Sequence, residues 1–171
     1  MMNLWQEDID GRVVLFHPFI PETAATEVAR TLGTRWIGQG PRVEEFEKLF
    51  SSLFGLESQS CISVNSGTAA LHLAYILAGI KSGDEVLCPL FTCTATNIPL
   101  LYLGAKPVFV DVDPHTLNID LEDLRKKISS KTKAIVSVDF GGLPCNYDEL
   151  NQIARQFSIP LIQDAAHSLG G

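Results

Sequence analysis

The sequence predicts an α/β fold, a mostly parallel sheet with helices on both faces. Three observations carry that prediction. Short runs of continuous apolar character recur along the chain, as strands buried on both faces require. Segments with apolar residues at helical spacing alternate with them, which is the order that builds a parallel sheet. Gly and Pro punctuate the joins, with no internal repeat and no low-complexity linker.

The elements follow in order. Pro41 to Phe54 places Val43, Phe46, Leu49, Phe50, Leu53 and Phe54 at helical spacing, with Pro41 suited to the first position and Gly55 to the stop. Cys61–Val64 reads as a strand, and a helix follows from about Thr68 to Ala78, ended by Gly79. Glu85–Cys88 reads as the next strand, closed by Pro89, and Thr94–Leu103 as a helix before Gly104. Pro107–Asp111 is a third strand. Asp120 caps a helix to about Ile128, with Asp123 three residues on in a box-like arrangement. Lys133–Val138 is a fourth strand, Asn146 with Glu149 opens a helix to about Phe157, and Ile159–Asp164 is a fifth strand.

The 171 residues suffice for one domain with a sizeable core. A net charge of −7 and a single basic run, Arg125-Lys126-Lys127 near a helix end, argue against a nucleic-acid surface. No apolar stretch is long enough to span a membrane, and the acidic start Met1–Asp8 is unlike a signal peptide. Cys61, Cys88, Cys93 and Cys145 form no CxxC pair, and Cys61 and Cys88 sit in strand-like runs as small core residues. A cytoplasmic protein without metal or disulfide is expected. Asp111, Asp113 and Asp120 read as turn and capping chemistry rather than a metal set. His17, His72 and His115 read as structural or exposed.

In a parallel sheet, ligands bind beyond the carboxyl ends of the strands. Those ends are Asn65–Thr68, Phe91–Cys93, Asp111/Asp113, Asp139–Gly141 and Asp164–His167. Ser66-Gly67-Thr68 opens a helix with free backbone N–H groups, the place where a phosphate binds best. The same residues also make an ordinary helix cap. Neither GxGxxG nor GxxxxGK[ST] occurs, which leaves a dinucleotide or nucleoside triphosphate with little support. Asp164 ends an apolar strand, either as the cap of the next turn or as partner of a protonated pyridine nitrogen. His167 follows three residues on, as a core histidine or as a group facing a bound ring. A phosphate cradle with a carboxylate suits a phosphorylated heteroaromatic cofactor, and pyridoxal 5'-phosphate (PLP) matches it.

Four stretches together resemble the DegT/DnrJ/StrS family of PLP-dependent sugar aminotransferases: Trp36–Pro41, Asn65–Leu73, Gly83–Val86 leading to Pro89 and Thr92, and Asp164–His167. Tyr102–Ala105, Asp111–Pro114 and Thr132–Ile135 also look familial. The resemblance runs from Trp36 to the end. It implies an aspartate-aminotransferase-like (fold type I) large domain and a homodimer with sites at the subunit interface. The implied reaction moves an amino group, usually from glutamate, to a nucleotide-linked keto sugar. By position, Ser66, Gly67, Thr68 and Ala69 would hold the cofactor phosphate, Asp164 the pyridine nitrogen, and His167 would lie by the phenolic oxygen. Asp164 and His167 are the catalytic candidates.

Two departures stand out. Where the family places an aromatic residue that stacks on the cofactor, this chain has Cys93, a smaller contact. The family's Schiff-base lysine lies shortly after the Asp-Ala-Ala-His segment, ahead of a small C-terminal domain. None of this chain's lysines follows Asp164. The resemblance therefore makes residues 1–171 the N-terminal part of the cofactor-binding large domain, inactive alone. Two alternatives stay open: a family dehydratase, with His in place of that Lys, or a non-catalytic remnant or interaction module.

Overall fold

The computed structural model describes residues 19–57 and 60–170, so the expectations for His17 and for Met1–Asp8 lie outside the described residues. The described residues divide into two compact units, one before and one after the Ile62–Ser63 junction. In the first, α1 (Ala24–Gly33) and α2 (Pro41–Leu53) are the helices. Pro41 stands at the start of α2, where its missing N–H costs nothing. Gly55, just past its end, takes φ +61°. Helix α1 was not expected from the sequence, and none of its residues is buried.

The second unit holds α3 (Gly67–Leu77), β1 (Glu85–Pro89), α4 (Thr94–Tyr102), β2 (Lys106–Val110), α5 (Leu121–Lys127), β3 (Thr132–Val138), α6 (Tyr147–Phe157) and β4 (Leu161–Asp164). The four strands lie in the order β2-β1-β3-β4, and every pairing is parallel. Their carboxyl ends therefore share one edge, as expected.

Strand alternation divides the core between the two faces. Val86 and Cys88 of β1 and Ala134 and Val136 of β3 pack with Leu71 and Tyr75 of α3 and Leu100 of α4. Leu87 and Ile135 point the other way, against Leu124 of α5 and Leu150 and Ile153 of α6. All of these but Leu71 are fully buried, and each large aliphatic side chain contributes about 1.5–3 kcal/mol through burial.

Three local expectations are corrected. Cys61–Val64 is not a strand, and Ile62 is 71% exposed. An extended run becomes a strand only through backbone bonds to a neighbour, and no described strand pairs with it. Cys61 is accordingly half-buried rather than a strand-core residue. Asp120 does cap α5, accepting from the N–H groups of Glu122 and Asp123. The reciprocal half of that box is missing, because the Asp123 carboxylate instead takes the Asp111 N–H and the Lys127 ammonium. Asn146 caps α6 through the Glu149 N–H, but Glu149 answers to the Asn146 side-chain amide, not to its backbone.

The basic run of α5 is paired as well as solvated. Arg125 reaches Glu149 at 2.8 Å, and Lys127 reaches Asp123 at 2.6 Å. Asp113 folds its own loop, accepting from the His115 and Thr116 N–H groups. No cluster of His, Cys, Asp and Glu able to hold a metal exists among the described residues. No described helix is long and apolar enough to cross a membrane.

Candidate active site

The N-terminus of α3 supplies the first part of the site. Ser66 is its extended N-cap, and its hydroxyl oxygen accepts from the Ala69 N–H at 3.2 Å. The Ala70 N–H closes the first helical bond to the Ser66 carbonyl. Ala69, a candidate phosphate donor, thus already has a partner. The N–H groups of Gly67 and Thr68 have none within the helix, as helix geometry requires of the first turn. A Cβ on Gly67 would meet nothing within 4 Å, so the backbone there faces open space. An anion can reach both N–H groups.

Asp164 ends β4, and its half-buried carboxylate is positioned from two sides. The Thr96 hydroxyl donates to Oδ2 at 2.7 Å, and the Ala166 N–H donates to Oδ1 at 3.2 Å. Thr96 spends its one proton on Asp164, so the Thr92 hydroxyl donates to Thr96 across 2.8 Å. The fully buried Tyr75, two turns along α3, gives its hydroxyl proton to the Thr96 carbonyl at 2.7 Å. Burial, reinforced by the neighbouring Cys88 and Asp164 side chains, pushes the Tyr75 phenol well above its ordinary pKa, so it stays a neutral donor. Tyr75, Thr96 and Asp164 thereby tie the helix with the open N-terminus to the strand with the carboxylate.

His167 lies exposed in the turn after β4, and its Nδ1 accepts the Gly141 N–H at 3.2 Å. A ring nitrogen that accepts a hydrogen bond carries no proton, so neutral His167 holds its proton on Nε2, available as a donor. Its ring lies edge-on to Phe140 at 6.0 Å, and Phe140 meets Phe91 at 4.5 Å. Cys93 is exposed at the same sheet edge as the N-cap of α4, without a side-chain capping bond. The aromatic surface there comes from Phe91 and Phe140 instead.

Asp139, like Asp164 and His167, was expected at this edge from the sequence, but no role was assigned to it, to Tyr75 or to Thr96. Asp139 follows β3 and is 1% exposed. Its Oδ1 accepts from the Tyr147 hydroxyl at 2.6 Å and the Cys145 N–H at 3.0 Å. Its Oδ2 accepts from Ser168 at 2.6 Å and Gln163 at 2.7 Å. Burial pushes this carboxyl up, but the bonds from Ser168, Tyr147, Cys145 and Gln163 outweigh it and hold its pKa below the ordinary value. Tyr147 is driven the other way, by burial first and by its bond to Asp139 second. Burial and the Asp139 charge push the Cys145 thiol up to about 11, which leaves it inert. The one available signal was a strand-terminal Asp followed by paired glycines, Asp139-Phe140-Gly141-Gly142.

The residues present fit PLP. Two free N–H groups at a helix start suit its phosphate, Asp164 suits a cationic ring nitrogen, and the Nε2–H of His167 suits a phenolate oxygen. Asp164 has two donors where an ionised carboxylate has about four acceptor sites, so it retains capacity for one more. The lysines tell a different story. Lys106 and Lys133 stand at the amino ends of β2 and β3, with Lys131 just ahead of β3, at the edge opposite Asp164.

Comparison with known proteins points the same way. The model of the DegT/DnrJ/EryC1/StrS aminotransferase family matches residues 18–171. The spore coat polysaccharide biosynthesis protein SpsC of Bacillus subtilis is 40% identical over 152 residues, which is 89% of this chain and 39% of that protein. Among solved structures, the aminotransferase TlmJ from Streptoalloteichus hindustanus superposes with a TM-score of 0.86 at 32% identity, covering 92% of this chain and 43% of that one. A Streptococcus pneumoniae protein described as a sugar aminotransferase, in its PLP form, gives 0.81 at 34% identity, covering 90% and 42%. The chain spans about two-fifths of the length of the relatives it matches.

Proposed function

This chain belongs to the DegT/DnrJ/EryC1/StrS aminotransferase family and has its fold type I, aspartate-aminotransferase-like sheet; on that premise we propose that it is the cofactor-binding part of a PLP-dependent sugar aminotransferase. The observation that carries the reading is the linkage of Asp164 through Thr96 and Tyr75 to the helix whose N-terminus is open. When bound, PLP supplies an electron sink for the transfer of an amino group. The chain's own residues hold it there. Gly67 and Thr68 offer N–H groups to the phosphate, and the hydroxyls of Ser66 and Thr68 lie beside them. Asp164 keeps a proton on the ring nitrogen, and Thr96 keeps Asp164 from turning away. His167 holds an Nε2 proton toward the phenolic oxygen. Phe91 and Phe140 supply the aromatic surface that Cys93 does not.

The amino acceptor in this reading is a nucleotide-linked keto sugar, and glutamate is the donor. The likeness to a polysaccharide biosynthesis protein supports a sugar substrate. The active form is a homodimer. An apolar stripe of Leu73, Ile76 and Leu77 on α3, beside Leu101 and Tyr102 on α4, is exposed and available to a second subunit. Its four cysteines are free thiols, which accords with the cytoplasm.

Reading the coding sequence beyond codon 171 tests this proposal. A lysine soon after Asp164 and a further domain are expected. A histidine in that position would move the protein to the dehydratase branch, and a stop codon would contradict both. The complete protein, given PLP, glutamate and a nucleotide-linked keto sugar, should yield the amino sugar and 2-oxoglutarate. Absence of both products across a panel of such sugars would refute the assignment.

A further inference from the structure

The His167 ring lies edge-on to Phe140, and its Nδ1 is fixed by the hydrogen bond from the Gly141 N–H. Both sides of that contact depend on Asp139. On the acceptor side, the Asp139 carboxylate holds Ser168, the residue after His167, and Gln163, the residue before Asp164. It brackets the whole Asp164–His167 turn, and its own backbone N–H binds the Asp164 carbonyl at 3.2 Å. On the donor side, Asp139 opens the tight turn Phe140–Gly142, closed by the Gly142 N–H on the Asp139 carbonyl at 3.1 Å. That turn aims the Gly141 N–H. The two segments also touch directly, since a Cβ on Gly142, where φ is +89°, would lie 3.0 Å from the His167 carbonyl oxygen.

We propose that Asp139 is a positioning residue that fixes His167 as the Nε2–H tautomer and thereby presents a hydrogen-bond donor to the phenolic oxygen of the bound cofactor. The consequence for binding rests on the assignment of His167 under the proposed function; the tautomer does not. Asp139 itself stays away from the ligand, because four protein donors fill its acceptor positions. Those donors fall into two sets. Oδ1 serves Cys145 and Tyr147, which anchor Asp139 to the loop and helix that follow. Oδ2 serves Gln163 and Ser168, which belong to the site. An asparagine can keep Oδ1, since a backbone N–H cannot turn away from it. Its amide NH2 would then face Ser168 and Gln163, two groups set to donate.

The test is nitrogen NMR of the His167 imidazole in the ligand-free 171-residue chain, in alkaline buffer, with pyridoxamine 5'-phosphate affinity as a second readout. The parent should show an unprotonated Nδ1 and a protonated Nε2. Asp139→Asn and Ser168→Ala should mix the tautomers and weaken pyridoxamine phosphate binding about fivefold to tenfold, the scale of one lost hydrogen bond. Tyr147→Phe, which cuts only the Oδ1 side, should leave the tautomer in place. A purely structural Asp139 would lower stability in all three variants and change the tautomer in none, and that result overturns the proposal. So does a parent that carries its proton on Nδ1. If the tautomers respond as expected but the parent does not bind pyridoxamine phosphate, the positioning role stands and the cofactor assignment fails.

Discussion

Asp164 and Asp139 close neighbouring parallel strands, β4 and β3, and the protein treats their carboxylates in opposite ways. Asp139 is saturated by four protein donors, whereas Asp164 has two donors and room for a ligand. Two predictions follow from that difference. The Asp139 pKa is depressed in the folded state, so its contribution to stability is full above the unfolded carboxylate value of about 3.9 and is lost as pH falls below it. Urea midpoints measured from pH 6 downward should decline more steeply for the parent than for Asp139→Asn; equal slopes would remove the role given to its charge. Thr96→Val removes the donor to Asp164 and leaves the half-buried Thr92 hydroxyl without its acceptor, at an expected cost of about 1–3 kcal/mol by chemical denaturation. Thr96→Ser should recover most of it, and a neutral Val variant would count against the linkage. Asp164 and His167 were legible because a polar residue at the end of an apolar run marks a sheet edge. Thr96 was not, since its bond to Asp164 spans 68 residues and no local pattern records such a contact.

Elements were legible wherever local chemistry and tertiary setting agreed. The central strands β1 and β3 carry their own signal because both faces are buried, and the observed bounds of all four strands differ from the expected ones by a residue or two. Caps were legible for the same reason. Asp120→Ala should destabilise the fold by about 1 kcal/mol through loss of two N–H acceptances at the start of α5, read as a lower thermal midpoint. An unchanged midpoint would make that cap ornamental. Cys61–Val64 failed as a strand because its apolar pattern needs a partner that no described strand supplies. Helix α1 was missed although Ala25, Val28, Ala29 and Leu32 stand at helical spacing, and none of these residues is buried in the fold. The Asp123 capping box failed because Lys127 and the Asp111 N–H, brought near only by folding, compete for the same carboxylate.

At the scale of the molecule, parallel pairing sorts the chemistry to one edge and the strand-starting lysines to the other. The amide-rich start of α3, Asp164 and His167 would hold a cofactor in the proposed reading, and residues 165–171 contain no lysine. The 171-residue chain alone should therefore give no glutamate-dependent turnover above free cofactor, and measurable 2-oxoglutarate would contradict the division of labour proposed for it. The apolar stripe of α3 and α4 should also drive self-association, visible by sedimentation and relieved by Leu77→Glu with Tyr102→Lys; a parent that stays monomeric at high concentration would argue against a subunit interface there. Equilibrium binding of pyridoxamine 5'-phosphate, a compound that cannot condense with surface lysines, decides whether Asp164 anchors a cofactor cradle. The parent chain should bind reversibly, and Asp164→Ala should weaken binding by roughly 10-fold to 100-fold, the scale of one charge-assisted hydrogen bond. Equal affinity in parent and variant would place the cofactor elsewhere and contradict the site.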